Sequence, residues 1–395
     1  RGAMAEWQRA RGYEATGVLT TRQRQALMDE YNAPLISVGM RRHVDREAGI
    51  EMQMPMGAVS FSRYEPPFAH YDSTSDLGAR VLLISQPGTR ATLFGLYDIM
   101  QTLEIVPLDG PREKQGDSFT LVGRGKGIVS HTEAQLQNGE IKGFTLVWPQ
   151  GDEERRARVL SAMQQSFTRT EGVLSPAAGG NAVQNVDLVA GLQVRKPRLS
   201  RSGFFVDGKG TVVTVAEAVQ NCTRVTLDRA HEAEVAAVDD RLGVAVLRPT
   251  VPLAPMEVAR LSRDEARLQS EITLSGFSYE GILGAPSLTF GTLADIKGLG
   301  GEEDLSRLAL DARAGDAGGP VFDAGGGVMG MLLPAPREGR QLPEAVSFAA
   351  DAQALRQVLQ SAGLRAIDDT GGGSLTPDEL NRRATGMTVL VSCWD

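Results

Sequence analysis

The sequence predicts a multidomain chain in which a short helical fragment is followed by an α+β domain and then by an all-β domain. Three observations predict it. The 395 residues exceed what one hydrophobic core serves. Apolar residues follow mixed helical and alternating periods before residue 170, and about a dozen short β-branched runs after residue 188. Between these textures lies a connector rich in Gly, Ala, Ser and Asn, Ser175-Pro176-Ala177-Ala178-Gly179-Gly180-Asn181. The resulting division is a helical fragment over 1–33, an α+β domain over 34–170, a linker over 171–187, an all-β domain over 188–363 and a C-terminal tail over 364–395.

Each element has its own signal. In the fragment, Ala3, Met4 and Trp7 recur at helical spacing, Gly12 and Gly17 punctuate, and Thr20 stands ready to cap a second helix over Thr21–Tyr31. In the second domain, alternation marks strands near Gly57–Phe61, Arg80–Ser85, Phe119–Val122, Gly127–Gln135 and Glu140–Trp148, with a hairpin at Asn138-Gly139. Helical periods mark Ala91–Glu104 and Glu153–Phe167, and Tyr64-Glu65-Pro66-Pro67-Phe68 reads as a rigid loop. Short strands from Gly203–Val206 to Ala345–Ala349, without long helices between them, call for a sandwich or barrels. A helix near Asp351–Ala362, a Gly triplet at Gly371–Gly373, a capped helix start at Thr376-Pro377-Asp378-Glu379 and a strand at Met387–Ser392 complete the chain.

Charge narrows the partners. A net charge of -8 and a pI near 5.3 argue against nucleic acid and anionic lipid, which require a concentrated basic face. The run Arg155-Arg156-Ala157-Arg158 is preceded by Asp152, Glu153 and Glu154, and reads as solvated surface. No apolar stretch reaches the roughly 18 residues of a membrane span. His43, His70 and His131 lie on separate segments without ligand spacing, and Cys222 and Cys393 have none either, so no metal and no cofactor is expected.

Two resemblances sharpen the reading. Trp7-Gln8-Arg9-Ala10-Arg11-Gly12-Tyr13, then Ala15-Thr16-Gly17-Val18-Leu19-Thr20 and Arg24-Gln25-Ala26-Leu27, resembles the second half of the peptidoglycan-binding-domain-1 family. That implies peptidoglycan as a partner of the full module.

The second is more specific. Gly315-Asp316-Ala317-Gly318-Gly319-Pro320-Val321-Phe322 resembles the G-(D/N)-S-G-G-P turn of trypsin-like, HtrA-type serine proteases. Ser202-Gly203-Phe204-Phe205-Val206 with Gly210-Thr211-Val212-Val213-Thr214-Val215-Ala216-Glu217 resembles the segment leading to their histidine, and Val238-Asp239-Asp240-Arg241-Leu242-Gly243-Val244-Ala245-Val246-Leu247 the one that carries their aspartate. The resemblance spans Val186 to Ala362 and implies an all-β double β-barrel of chymotrypsin type. It sets Ala317 in the nucleophile's place, Glu217 in the base's and Gly243 in the aspartate's, with Gly315 and Ala317 as an oxyanion-hole remnant. His231, at an expected hairpin turn, is no substitute base. A methyl group cannot attack a carbonyl, and nucleophile, base and orienter act as a unit.

The reading is therefore a catalytically degenerate member: not an enzyme but a pseudoprotease of the bacterial cell envelope or periplasm. It would be a peptidoglycan-associated binding and scaffolding protein whose groove takes a protein or peptide. Two alternatives stay open: an active serine endopeptidase captured with Ser exchanged for Ala317, and a regulator or inhibitor of another envelope protease. Cys222 lies where secreted relatives often keep a disulfide cysteine. Paired with Cys393, it would stitch the tail to the first barrel in an oxidising compartment.

Overall fold

The structure, a computed structural model, describes residues 2–175, 188–263, 267–335, 346–371 and 373–395. Most of the expected linker, 176–187, lies outside the described residues, as do Ala345 and Gly372. Two compact units emerge, Arg1–Arg195 and Lys196–Asp395.

In the first unit, α1 (Gly2–Ala10) and α2 (Thr21–Ile36) form the helical pair. The Thr20 hydroxyl accepts the Gln23 amide, and the Gln23 side chain accepts the Thr20 amide, which closes a capping box. Fully buried Gln8 holds the loop between the helices: it donates to the Val18 carbonyl and accepts from the Gly17 amide.

Strands β1 (Met40–Asp45) and β2 (Ile50–Pro55) follow, and then β3 (Val59–Glu65), β4 (Phe68–Ser73) and β5 (Arg80–Pro87). After α3 (Arg90–Met100) come β6 (Arg112–Gln115), β7 (Ser118–Gly125), β8 (Ile128–Gln137) and β9 (Glu140–Pro149). Next are α4 (Glu153–Ser166), β10 (Thr168–Arg169) and the small hairpin β11 (Leu188–Val189) with β12 (Leu192–Gln193). This hairpin belongs to the first unit, upstream of the division at Arg195.

The main sheet is antiparallel, in the order β3-β4-β5-β9-β8-β7-β6, while β1, β2 and β10 form a second sheet. Sequence reading missed β1, β2, β4 and β6. In β1, Met-Arg-Arg-His-Val-Asp presents mostly polar side chains at a sheet edge, so its alternation is weak. The Asn138-Gly139 turn is as expected, both residues with positive φ (53° and 77°), as its hairpin type requires.

β9 is buried along nearly its whole length because both faces of the sheet are covered. Phe144, Leu146 and Trp148 pack with Ile50 and Met52 of β2 and Val159 and Met163 of α4. Ile141 and Val147, on the opposite face, pack with Leu93, Leu96 and Met100 of α3. On the same strand Lys142 is 1% exposed, and its ammonium donates to the carbonyls of Gly49 (3.1 Å), Thr170 (2.7 Å) and Gly172 (2.7 Å). Replacing it strands three acceptors. Lys142→Met is expected to lower unfolding stability by about 2–4 kcal/mol, read by urea titration of the full chain. An unchanged midpoint would refute this clasp.

The second unit is two barrels. The first contains β13 (Leu199–Phe205), β14 (Val212–Val215), β15 (Arg224–Leu227), β16 (His231–Asp239) and β17 (Val244–Pro249). β18 (Arg260–Leu261) leads into the second: β19 (Glu271–Gly276), β20 (Ser287–Asp295), β21 (Leu305–Ala309), β22 (Pro320–Phe322), β23 (Val328–Leu332) and β24 (Val346–Asp351). Pairing of β22 with β23 closes this ring of six.

α5 (Ala352–Ser361), capped by Asp351, then packs Leu355, Val358 and Leu359 into the core the barrels share. β25 (Ile367–Asp368) and α6 (Pro377–Met387) precede β26 (Thr388–Trp394). β26 is more than a returning tail. It is the sixth strand of the first barrel, inserted between β13 and β15 in the closed order β13-β14-β17-β16-β15-β26. The double six-stranded barrel that the sequence predicts is thus present.

Candidate functional site

The site is built where β13 of the first barrel meets the turn before β22 of the second. Backbone sterics fix that turn. Gly318 has φ +89°, and a Cβ there would lie 2.0 Å from the Ser202 carbonyl oxygen. At Gly315 a Cβ would lie 2.2 Å from the Phe277 carbonyl oxygen. Ser202 then locks the two barrels together: its hydroxyl donates to the Gly315 carbonyl (2.8 Å) and accepts from the Phe277 amide (2.8 Å), and its amide donates to the Ala317 carbonyl (3.0 Å).

Behind the turn, Asp316 is 1% exposed and accepts from the Ser278 hydroxyl (2.7 Å) and the Arg313 amide (2.8 Å). Burial pushes its carboxyl above the usual range, against these two hydrogen bonds, which favour the charged form.

Glu217 and Ala317 line one cavity of about 200 Å³. Gly243 is outside its lining but adjacent in the fold, since its carbonyl accepts the Ala216 amide (2.8 Å). Residues 314–316 form a single turn of 3₁₀ helix, and the Ala317 amide is directed at the Ala314 carbonyl (3.4 Å). The Gly315 carbonyl is the acceptor that Ser202 holds. His231 is exposed at the start of β16, across a turn from Leu227.

Cys222 and Cys393 form a disulfide, with Cys393 fully buried in β26. Among the described residues no group of three or more His, Cys, Asp or Glu side chains is placed to hold a metal ion.

Sequence reasoning missed the residue that dominates the cavity. Arg201, on β13, is 8% exposed; its Nε donates to Glu217 Oε1 (2.5 Å) and its Nη1 to Glu280 Oε1 (3.0 Å) and the Ser200 carbonyl (2.9 Å). The buried pair with Glu217 fixes the orientation of the guanidinium, while Glu280 is half exposed. On β13 Arg201 shares a strand face with Gly203 and Phe205, an alternation that any strand shows and that marks no site. Arg313 adds a second cation at the cavity, 4.8 Å from the ring centre of Tyr279.

Residues 201–331 match the family model of the trypsin-like peptidase domain. The second unit has a trypsin-like fold.

The chain is similar to the uncharacterized protein y4bJ of Sinorhizobium fredii, at 26% identity over 203 residues. These are 49% of this chain and 32% of that protein, so the chain spans about a third of its curated relative. Solved structures similar to it include the Rv3671c protease of M. tuberculosis in an inactive form, as a serine-to-alanine mutant. That match has 22% identity and a TM-score of 0.34, covering 42% of this chain and 84% of that one. Another is a serine endoprotease of Yersinia pestis, with 18% identity and a TM-score of 0.35, covering 42% of this chain and 58% of that one.

The match corrects one expectation. The sequence reading held that this chain is not an enzyme; the domain matched by the trypsin-like region belongs to peptidases, and so points to a protease.

Proposed function

We propose that the trypsin-like unit captures a polypeptide segment in the cleft lined by Arg201, Glu217 and Ala317, and that the chain serves as a scaffold in the bacterial cell envelope. The observation that carries this reading is the Arg201–Glu217 pair. It places a fixed, oriented guanidinium in the cavity that the glycine-rich turn borders. Such a group recognises and orients a bound chain. The Cys222–Cys393 disulfide supports an oxidising, extracytoplasmic compartment, the periplasm. Among the described residues no helix is long and apolar enough to cross a membrane. Attachment to peptidoglycan would run through the helical pair α1–α2, whose buried Gln8, accepting from the Gly17 amide, lies within the resemblance to that module.

Calorimetric titration with unfolded casein peptides tests the capture. Saturable binding is expected, and Ser347→Trp, which fills the cavity from β24, is expected to weaken it by about tenfold or more. Equal binding by both proteins places capture elsewhere.

A second reading, favoured by the peptidase-domain match, is a serine endopeptidase whose active form carries serine at position 317. Turnover of fluorogenic peptides by Ala317→Ser separates it from capture alone.

A further inference from the structure

Arg201, in the lining of the cleft, already holds a second carboxylate besides Glu217. Glu280, in the loop between β19 and β20, accepts from Arg201 Nη1 at 3.0 Å, while Glu217 accepts from Nε. The two carboxylates differ in exposure: the Glu217 side chain is 13% exposed and that of Glu280 is 51% exposed. The first ion pair is a fixture that sets the plane of the guanidinium fork. Its partner is wet, and an exposed pair exchanges readily.

The loop that carries Glu280 is fastened independently of this side chain. Ser278 donates to buried Asp316, Arg229 donates to the Glu280 carbonyl (3.2 Å), and a Cβ at Gly281 would lie 2.4 Å from Leu390. The carboxylate can therefore swing away by side-chain rotation while the backbone stays seated. Charge then favours an anion. With Glu280 outside, the cavity holds Arg201 and Arg313 against Glu217, and the oxygens of Asp316 are occupied by Ser278 and the Arg313 amide.

We infer that Arg201 is the receptor for a carboxylate of the bound peptide, and that Glu280 occupies the receptor until that carboxylate displaces it. The cleft thus selects acidic segments. This deepens the capture reading and rests on it. A peptide can supply the carboxylate from an internal acidic side chain or from its free C-terminus.

Calorimetric titration of the full chain with three short peptides decides the matter: one amidated with a central glutamate, one amidated with glutamine there, and the glutamine peptide with a free C-terminal carboxylate. The expected result is about fivefold tighter binding of a carboxylate-bearing peptide than of the neutral one. Preference for the glutamate peptide assigns an internal side chain, and preference for the free carboxylate assigns the C-terminus. Glu280→Gln removes the built-in competitor without removing the receptor, and should widen the preference by about another threefold. Arg201→Lys, with its folding checked by circular dichroism, should narrow it.

Equal affinity for all three peptides, unchanged in Glu280→Gln, overturns the carboxylate receptor and leaves peptide capture standing. Absence of binding by any peptide removes the capture reading and this inference with it.

Discussion

Converting Ala317→Ser, Glu217→His and Gly243→Asp together with Arg201→Ser is expected to raise hydrolysis of a fluorogenic peptide by about a hundredfold or more over the unaltered chain. Nucleophile, base and orienter act as one unit, so single replacements recover little of what the set supplies. Arg201 is the reason for the fourth change. Its guanidinium, beside residue 217, would oppose the imidazolium that must form there, by about 4 kcal/mol for like charges near 4 Å at an intermediate dielectric. The three changes without Arg201→Ser should therefore give a much smaller gain.

Position 243 accepts an aspartate at a modest cost. Its φ is +73°, a region that aspartate tolerates better than most residues, and no atom lies within 4 Å of a Cβ built there. Steady-state kinetics on the four-fold and three-fold variants is the measurement. If the two are equally slow, the assignment of positions 217 and 243 to base and orienter is wrong.

The second expected result is a large loss of stability on reduction of the Cys222–Cys393 disulfide. The bond spans 171 residues of sequence, and the chain-entropy model puts such a closure at about 5 kcal/mol. Its position adds to this. Cys393 lies opposite Leu199 of β13 and Val225 of β15, so the covalent link fastens the strand that closes the first barrel. Around it, Ser392 hydrogen bonds to Ser200, Trp394 Nε1 donates to Thr226, and the Leu390 amide donates to Asp228. Urea titrations with and without dithiothreitol, and of Cys222→Ser, should show a lowered midpoint in both cases. Coincident oxidised and reduced transitions would show that the barrel closes unaided.

Local signals in the sequence carried a good part of this architecture. The Gly315–Phe322 turn was legible because its glycines answer to backbone sterics that no other residue meets. Asn138-Gly139 and Thr20 were legible because a tight hairpin and a helix start each demand few residue types. The family resemblance marked Cys222 as a disulfide position, and Cys393 is the other of the two cysteines in the sequence. What stayed hidden depends on long-range contact. Arg201, Glu217 and Glu280 come together from a strand, a short turn and a loop far apart in the chain, and no spacing rule connects them. The place of β26 was hidden for the same reason: a hydrophobic strand shows that it pairs, but not with which partners.

That insertion of β26 has a consequence for the order of events during synthesis. Ser200 and its partner Ser392 are 192 residues apart, and the whole second barrel is encoded between them. As the nascent chain emerges, β13 to β17 can form only an incomplete sheet with unpaired edges at β13 and β15. The second barrel has all six of its strands available first, so the half made earlier is the half finished later. Contacts of such high sequence separation form slowly. Bare edges of that kind are where strand-to-strand aggregation starts, and β26 is the strand that covers both.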